Sequence, residues 1–315
     1  MTDKLRSMKQ HLSLRRYLRL GDCAESARTF LRCVRIGGRP ANAVLNRVIQ
    51  LVNLEEIRRL PNTEAGYLPL DGDHFRPWVK RYFPDWRDRL GDLRHRKLVE
   101  FFTSFTVLEI RAEDIVMDAA GGYDTYLTQV DCGKRYLQDI RISSELKARL
   151  GERVEYVEGD AGAIPLGSES VDKVSCHHSF EHFQGDSDTS FVTEIQRSLK
   201  PQGKCCIVPI FVADHYVEVT NELTLDRKFD PRPSLIVDPT AALPGGNQSG
   251  HYARVYDLRA LQERVLAKID STRFTSRFLE LRLDGAPVPD LTLRCHKSVA
   301  AINRPMRALV IERFR

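Results

Sequence analysis

The 315-residue chain has no apolar run long enough to cross a bilayer. The longest candidates, such as Cys205 to Phe211, cover only a fraction of that length. Met1 to Gln10 is polar and charged and has no apolar signal-peptide core. No Cys-x-x-Cys pair occurs among the seven cysteines, and seven is odd, which argues against a disulfide framework or a cysteine-based zinc site. Free, mostly buried thiols in a reducing compartment are the better expectation. There is no internal repeat and no low-complexity tract. These absences exclude spanning, disulfide-stapled and solenoid architectures, and they point to a soluble cytoplasmic protein.

What is present is an ordinary globular mixture, with 42% hydrophobic and 29% charged residues. Charge is unevenly spread. Residues 1–60 carry 13 Lys and Arg against 5 Asp and Glu, a net of +8, whereas the whole chain is only +5. A basic N-terminus can attract an anionic partner such as nucleic acid or a lipid surface, although a solvated helical face is the simpler account.

Two textures follow one another. Residues 1–107 read as a mainly helical N-terminal region. Apolar residues recur at helical spacing over Ala24–Val34 and Ala41–Leu60, and Leu90–Thr106 reads as a further helix. From 108 to 315 short apolar strands alternate with helices. Strands are expected at Ile115–Met117, Tyr136–Leu137, Val154–Val157, Val171–Cys176 and Cys205–Phe211, with closing strands at Arg277–Leu283 and Ala308–Phe314. Helices are expected after Ser143 or Ser144, over Phe191–Leu199, and from Leu258 with Asp257 as its cap. Such alternation means a parallel sheet with crossover helices, an α/β fold. Pro and Gly crowd residues 213–250, where the pattern is lost; this stretch reads as a lid or insertion.

In an open parallel sheet, ligands bind beyond the carboxyl ends of the strands. After the first of these strands comes Asp118-Ala119-Ala120-Gly121-Gly122-Tyr123-Asp124, whose small residues let a ligand approach the backbone. Asp139 ends the second strand, seventeen positions beyond Gly122, and its carboxylate can accept from both hydroxyls of a ribose. Gly159-Asp160-Ala161 ends the third, and Cys176-His177-His178-Ser179-Phe180-Glu181-His182 follows the fourth.

Four segments resemble, in order and spacing, the class I S-adenosylmethionine-dependent methyltransferases of the group that includes the ubiquinone and menaquinone C-methylases. Gly159–Leu166 resembles the family's G-D-A-x-x-L-P-F, and Ser170–Val174 resembles S-F-D-x-V. Phe180–Phe183 resembles L-E-H-V, and Glu194–Lys204 resembles E-x-x-R-V-L-K-P-G-G. The likeness covers roughly residues 112–212. It implies a Rossmann-like sheet of seven strands, the last antiparallel, with helices on both faces, and S-adenosylmethionine as cofactor. It also implies that Asp118 and the Ala120-Gly121-Gly122-Tyr123 loop face the methionine part. Asp139, with Ile140 beside it, would hold the ribose, Asp160 and Ala161 the adenine, and Cys176 and His177 would lie beside the sulfonium through their backbone. The first motif departs from the family's D-x-G-x-G-x-G: Ala120 and Asp124 stand where glycines are expected. Ala120 is a small change if its φ is negative.

A hydroxyl acceptor needs a base. His182 is the first candidate, His215 the second, and His251, within an H-x-x-R-x-Y stretch, the third. His178 and His182 are four apart, but no third distant ligand accompanies them, so no metal is expected. The irregular 213–250 stretch suits a small polar acceptor, such as a sugar or glycan, better than a duplex. No N-P-P-Y-type tetrapeptide follows the fourth strand, which argues against a nucleic-acid base as acceptor. A nucleic-acid methyltransferase or binder, and a non-catalytic relative that keeps the fold, are the alternatives.

Overall fold

The computed structural model describes residues 52–84, 91–122, 125–220, 230, 232–237, 252–290 and 304–314. In chain order the elements are α1 (Leu54–Arg58), β1 (Thr63–Leu70), α2 (Gly72–Tyr82), α3 (Gly91–Leu108), β2 (Ile115–Ala119) and β3 (Lys134–Asp139). Then come α4 (Ser144–Leu150), β4 (Glu155–Glu158), β5 (Val171–His177), α5 (Ser187–Ser198) and β6 (Leu199–Val208). β7 (Val217–Thr220), β8 (Ser234–Val237), β9 (Tyr252–Val255), α6 (Leu258–Arg264) and β10 (Phe274–Leu283) follow. The short β11 (Ala286–Pro287), β12 (Pro289–Asp290) and β13 (Arg304–Pro305) precede the last strand, β14 (Arg307–Arg313).

The main sheet has nine strands, with the order β4-β3-β2-β5-β6-β14-β10-β1 and β11 appended to β10. β2 to β6 run parallel to one another, whereas β14 is antiparallel to both β6 and β10. The expected seven-stranded Rossmann-like sheet with an antiparallel last strand is therefore present as β4-β3-β2-β5-β6-β14-β10. Its central strands are apolar runs because they are covered on both faces. Met117 pairs with Val174, Val174 with Cys205 and Cys205 with Ile311, and all four are wholly buried. One face packs Phe191 and Ile195 of α5 and Leu261 of α6. The other packs Phe75 and Trp78 of α2 and Phe101, Phe102 and Leu108 of α3. Fully burying a side chain such as Phe191 stabilises the fold by roughly 1.5–3 kcal/mol.

Local signals agree with the elements. Ser143 Oγ accepts from Leu146 N and Asp257 Oδ1 from Ala260 N, so both expected caps form. α5 starts four residues earlier than expected, at Ser187, and gives way at Leu199 directly to β6. Cys132, Cys176, Cys205 and Cys206 are free and buried. Among the described residues no helix is long and apolar enough to cross a membrane.

Two features differ from the sequence expectation. β1 arises inside the region read as helical and extends the main sheet by pairing with β10. It is a half-exposed edge strand in which only Leu70 is buried, so Gly66 and Pro69 are tolerated there. Arg58 secures α1 to it, donating to Ala65 O at 3.1 and 2.8 Å. Within 213–250, β7 and β8 join β9 in a separate three-stranded sheet, β8-β7-β9. Four-residue strands among prolines and glycines leave too short an alternation to read. Expected helices at 24–34 and over most of 41–60 lie outside the described residues.

Candidate functional site

The chain runs from β2 out through β3 to β4 and then returns to β5 on the other side of β2, which opens a crevice at the carboxyl ends of β2 and β5. The expected residues Asp118, Ala120, Gly121, Gly122, Asp139, Ile140, Asp160, Ala161, Cys176 and His177 all stand at or just beyond the carboxyl ends of β2, β3, β4 and β5. Tyr123, Asp124 and His251 lie outside the described residues.

Hydrogen bonds join these ends into one rim. Gly122 N donates to Asp139 Oδ2 at 2.9 Å, and Gly121 N to Gln138 O at 3.2 Å. Gly159 N donates to Asp139 O at 2.9 Å, and Ser179 Oγ to Ala120 O at 2.8 Å. A Cβ at Gly121 would lie 2.6 Å from Leu137 Cδ1 and 2.7 Å from Asp118 Oδ2, so any side chain there would have to displace these two buried groups. Gly122 has φ +55°, where glycine is at ease. Ala120 has φ +49°, so the condition under which alanine would be a small change is not met. Its Cβ sits in the left-handed region, which costs roughly 1–2 kcal/mol.

Asp118 is wholly buried behind the loop rather than on its surface. Its carboxylate accepts from Thr125 Oγ1 and Ser175 Oγ, both at 2.7 Å, and faces His177 Nδ1 at 3.1 Å. A carboxylate only accepts, so the His177 proton lies on Nδ1, and Nε2 accepts from Ser104 Oγ at 2.8 Å. Burial pushes the Asp118 carboxyl up, but His177 and the two hydroxyls outweigh it and hold it below the ordinary value. This buried chain ties α3 to β2 and β5 and fixes where the β2 loop begins. Cys176 is also wholly buried, and burial raises its thiol well above the usual range. Neither the Cys176 thiol nor the His177 ring is therefore open to the crevice.

Asp139 is half-buried, and burial pushes its carboxyl up, partly offset by the backbone N–H groups of Arg141 and Gly122. Ile140 beside it is 72% exposed, a large apolar side chain on an otherwise polar rim. Asp160 Oδ1 accepts from Gly162 N at 2.7 Å, which shapes the turn around buried Ala161. His182 Nδ1 makes a short contact with Tyr252 O of β9, so the loop after β5 touches the small sheet. His215 is turned to solvent, with Nδ1 3.0 Å from Asp214 Oδ1. Among the described residues no group of three or more His, Cys, Asp or Glu is placed to hold a metal ion.

Gln138 escaped the sequence reading although it precedes Asp139. It is wholly buried, accepts from Ala120 N at 3.0 Å and donates to Gly159 O at 2.6 Å. Ser104, Thr125 and Ser175 also escaped it, because common hydroxyl residues carry no spacing signal.

The sheet order, with its antiparallel β14 and its crevice beyond β2 and β5, is the one that the sequence resemblance implies. Residues 116–207 match the model of the family described as a methyltransferase domain. No curated protein matches the chain. Among solved structures, a putative methyltransferase from Bacillus halodurans is 23% identical over 36% of this chain and 52% of its own, with TM-score 0.32. The 1,6-didemethyltoxoflavin-N1-methyltransferase of Burkholderia thailandensis, with its substrate and S-adenosylhomocysteine bound, is 19% identical over 79% of this chain and 93% of its own, with TM-score 0.39. Phosphoethanolamine N-methyltransferase 1 of Haemonchus contortus, in complex with phosphoethanolamine and S-adenosylhomocysteine, is 13% identical over 84% of this chain and 50% of its own, with TM-score 0.43. The chain thus spans about half the length of the first and third of these.

Proposed function

We propose that this protein transfers a methyl group from S-adenosylmethionine to a hydroxyl of a small polar acceptor, a sugar or glycan. The observation that carries the cofactor reading is the rim made by Gly122, Asp139 and Ile140. The Gly122 N–H holds Asp139 Oδ2 at 2.9 Å and the Arg141 N–H reaches Oδ1 at 3.3 Å, each oxygen keeping a second lone pair, and a 72% exposed isoleucine stands next to them. A nucleoside laid there would give its ribose hydroxyls to Asp139 and cover Ile140 with its base, with Asp160 and Ala161 at the base's edge. The loop from Ala120 through Tyr123 would border the methionine part, in front of Asp118, and the backbone of Cys176 and His177 the sulfur.

S-adenosylmethionine, when bound, supplies a methyl group already activated on a sulfonium. The chain's own work is placement and proton removal. Placement alone is worth up to roughly 7–11 kcal/mol, and a base about 10²–10⁴-fold. Tyr252 O can only accept, so His182 Nδ1 carries a proton, and His182 is the first candidate for the base toward an acceptor hydroxyl. His215, and His251 in the H-x-x-R-x-Y stretch, are the reserve candidates. The buried free thiols suit a reducing, cytoplasmic location.

The test is calorimetric titration with S-adenosylmethionine and S-adenosylhomocysteine, followed by a screen of sugars with labelled methyl donor. Binding that disappears in Asp139→Ala, with labelled sugar formed, is the expected result. No binding to the folded wild type would sink the reading. It would favour a non-catalytic relative, for which the left-handed Ala120 is the supporting observation.

A further inference from the structure

Three side chains on one face of α3 close on His177. Lys97, Phe101 and Ser104 follow one another at intervals of four and three residues, which sets them in one row along a helix. Ser104 Oγ donates to His177 Nε2 at 2.8 Å, and the Phe101 ring meets the imidazole edge-on with centroids 4.9 Å apart. Lys97 Nζ donates to His177 O at 3.1 Å. α3 therefore grips this residue both by its ring and by its backbone.

Both grips continue to the loop after β2. From the ring, His177 Nδ1 donates to Asp118 Oδ1 at 3.1 Å, at the root of that loop. From the carbonyl, Ser179 Oγ lies 3.0 Å from His177 O and 2.8 Å from Ala120 O, so its one proton is shared between the loop after β5 and the loop after β2. The route through the ring is closed to water, since Ser104, His177 and Asp118 are all buried. Hydrogen bonds in so dry a setting are strong when made and costly when lost. A shift of α3 is then not absorbed by solvent but passes to the loop.

We infer that Lys97 and Ser104 are positioning residues that act through His177, so that the crevice is set for its cofactor only while α3 is docked against β5. Neither side chain needs to touch the cofactor. What borders it is the backbone they hold, that of Ala120 to Gly122 on one side and of Cys176 and His177 on the other. The identity of the ligand rests on the methyl-transfer reading, whereas the coupling is a property of the chain itself. Such coupling is reciprocal: whatever docking of α3 adds to cofactor affinity, bound cofactor adds to the docking of α3. α3 precedes residues 116–207, so the N-terminal region tunes a site built by the segment that matches the family.

Hydrogen exchange read by mass spectrometry on the full chain tests this, with and without saturating S-adenosylhomocysteine. In the wild type the ligand should slow exchange of the α3 amides from Leu98 to Leu108 by at least about fivefold, while the edge strand β1, which opens by fraying, changes by less than about twofold. Lys97→Met removes a donor that Lys97→Arg keeps. Lys97→Met should lose most of the α3 protection and bind S-adenosylhomocysteine at least about fivefold more weakly by calorimetry. It should also speed exchange over Asp118–Gly122 in the unliganded chain by at least about fivefold, and Lys97→Arg should stay within about twofold of wild type on all three. Ser104→Ala, which cuts the route through the ring, should behave like Lys97→Met; should it not fold, the partly exposed Lys97 carries the test. A residue that only stabilises would lower the urea midpoint and leave affinity and α3 protection unchanged, the pattern expected of Phe191→Leu in the core on the other face of the sheet. Ligand binding without α3 protection, or a Lys97→Met that keeps both affinity and protection, would overturn the inference. Failure of the folded wild type to bind S-adenosylhomocysteine counts against the methyl-transfer reading instead, and the coupling is then decided by the unliganded exchange over Asp118–Gly122.

Discussion

Arg254 and Asp188 form an ion pair sealed from solvent: Nη1 lies 2.7 Å from Oδ2, and both side chains are 0% exposed. Arg264 reaches the same carboxylate, with Nη2 2.7 Å from Oδ1 and Nε 2.9 Å from Oδ2, and Tyr256 donates its hydroxyl to Oδ2 at 2.7 Å. Asp188 stands in the first turn of α5, Arg254 on β9 and Arg264 on α6, so one carboxylate holds the small sheet and two helices of the core together. Breaking a buried pair by removing one charge costs about 3–5 kcal/mol, because the other is left uncompensated. Asp188→Asn is therefore expected to lower unfolding free energy by about that amount in urea. Burial pushes the Asp188 carboxyl up, but the hydrogen bond from Arg264 and the charge of Arg254 outweigh it, so it is depressed in the folded protein. A depressed carboxylate stabilises above its unfolded value and loses that contribution as pH falls through the folded one. The gap between wild type and Asp188→Asn should narrow as pH drops below about 4. A gap unchanged down to about pH 2 would remove Asp188 from that role.

Ala120, at φ +49°, holds a conformation that a glycine would adopt without strain. Replacing it removes roughly 1–2 kcal/mol of left-handed strain and adds about 0.4–1 kcal/mol of unfolded-state entropy. Ala120→Gly should raise stability by a net of about 0.5–1 kcal/mol. Ala120→Val, β-branched at the same φ, should lose at least about 1 kcal/mol. Urea unfolding of the three proteins decides it, and a destabilised glycine variant would mean that the backbone relaxes out of the left-handed region in solution.

The parallel core is legible in the sequence because strands buried on both faces must be apolar throughout, as in Val171–Cys176 and Cys205–Ile207. The residues at their carboxyl ends are legible because topology alone places them together. β1 is not, since an edge strand half open to solvent needs no continuous apolar run and tolerates Pro69. Nor is the contact between His182 and Tyr252, seventy residues apart, which depends on how β9 pairs with β7. Polar partners are the least legible of all. Nothing in the order of residues announces that Ser104 on α3 completes a chain through His177 to Asp118, because a hydroxyl becomes specific only once the backbone has placed it.

Gln138 bridges the loops after β2 and β4, with one end of its amide on Ala120 N and the other on Gly159 O. A leucine of similar size fills the space and leaves both backbone groups without a partner, at about 1–3 kcal/mol for each such group. Gln138→Leu should therefore cost at least about 2 kcal/mol in urea unfolding. Because the loop it releases is the one proposed to border the methionine part, S-adenosylhomocysteine affinity should fall by roughly tenfold or more, which corresponds to about 1.4 kcal/mol. Loss of stability with unchanged affinity would show that Gly122 and Asp139 hold the loop without it.

Asp139 behaves in the opposite sense to Asp188. Burial raises its carboxyl above the ordinary value, and the N–H groups of Arg141 and Gly122 offset only part of that. A raised folded value means that the native state takes up a proton before the unfolded chain does. Ionised Asp139 thus opposes folding, and its contribution falls as pH rises from about 3.9 through the folded value. Binding runs the other way. Ribose hydroxyls donate to a carboxylate, and protonation turns one accepting oxygen into a competing donor. S-adenosylhomocysteine affinity should therefore weaken as pH is lowered, starting above the range of an ordinary aspartate. Asp139→Asn should bind about 10–100-fold more weakly at neutral pH, as expected for the loss of a hydrogen bond to a charged group worth roughly 1.5–3 kcal/mol. It should also show no acid limb over the same interval. An acid limb that persists in Asp139→Asn would assign the titration to another group and leave Asp139 as a carboxylate that only orders the β2 loop.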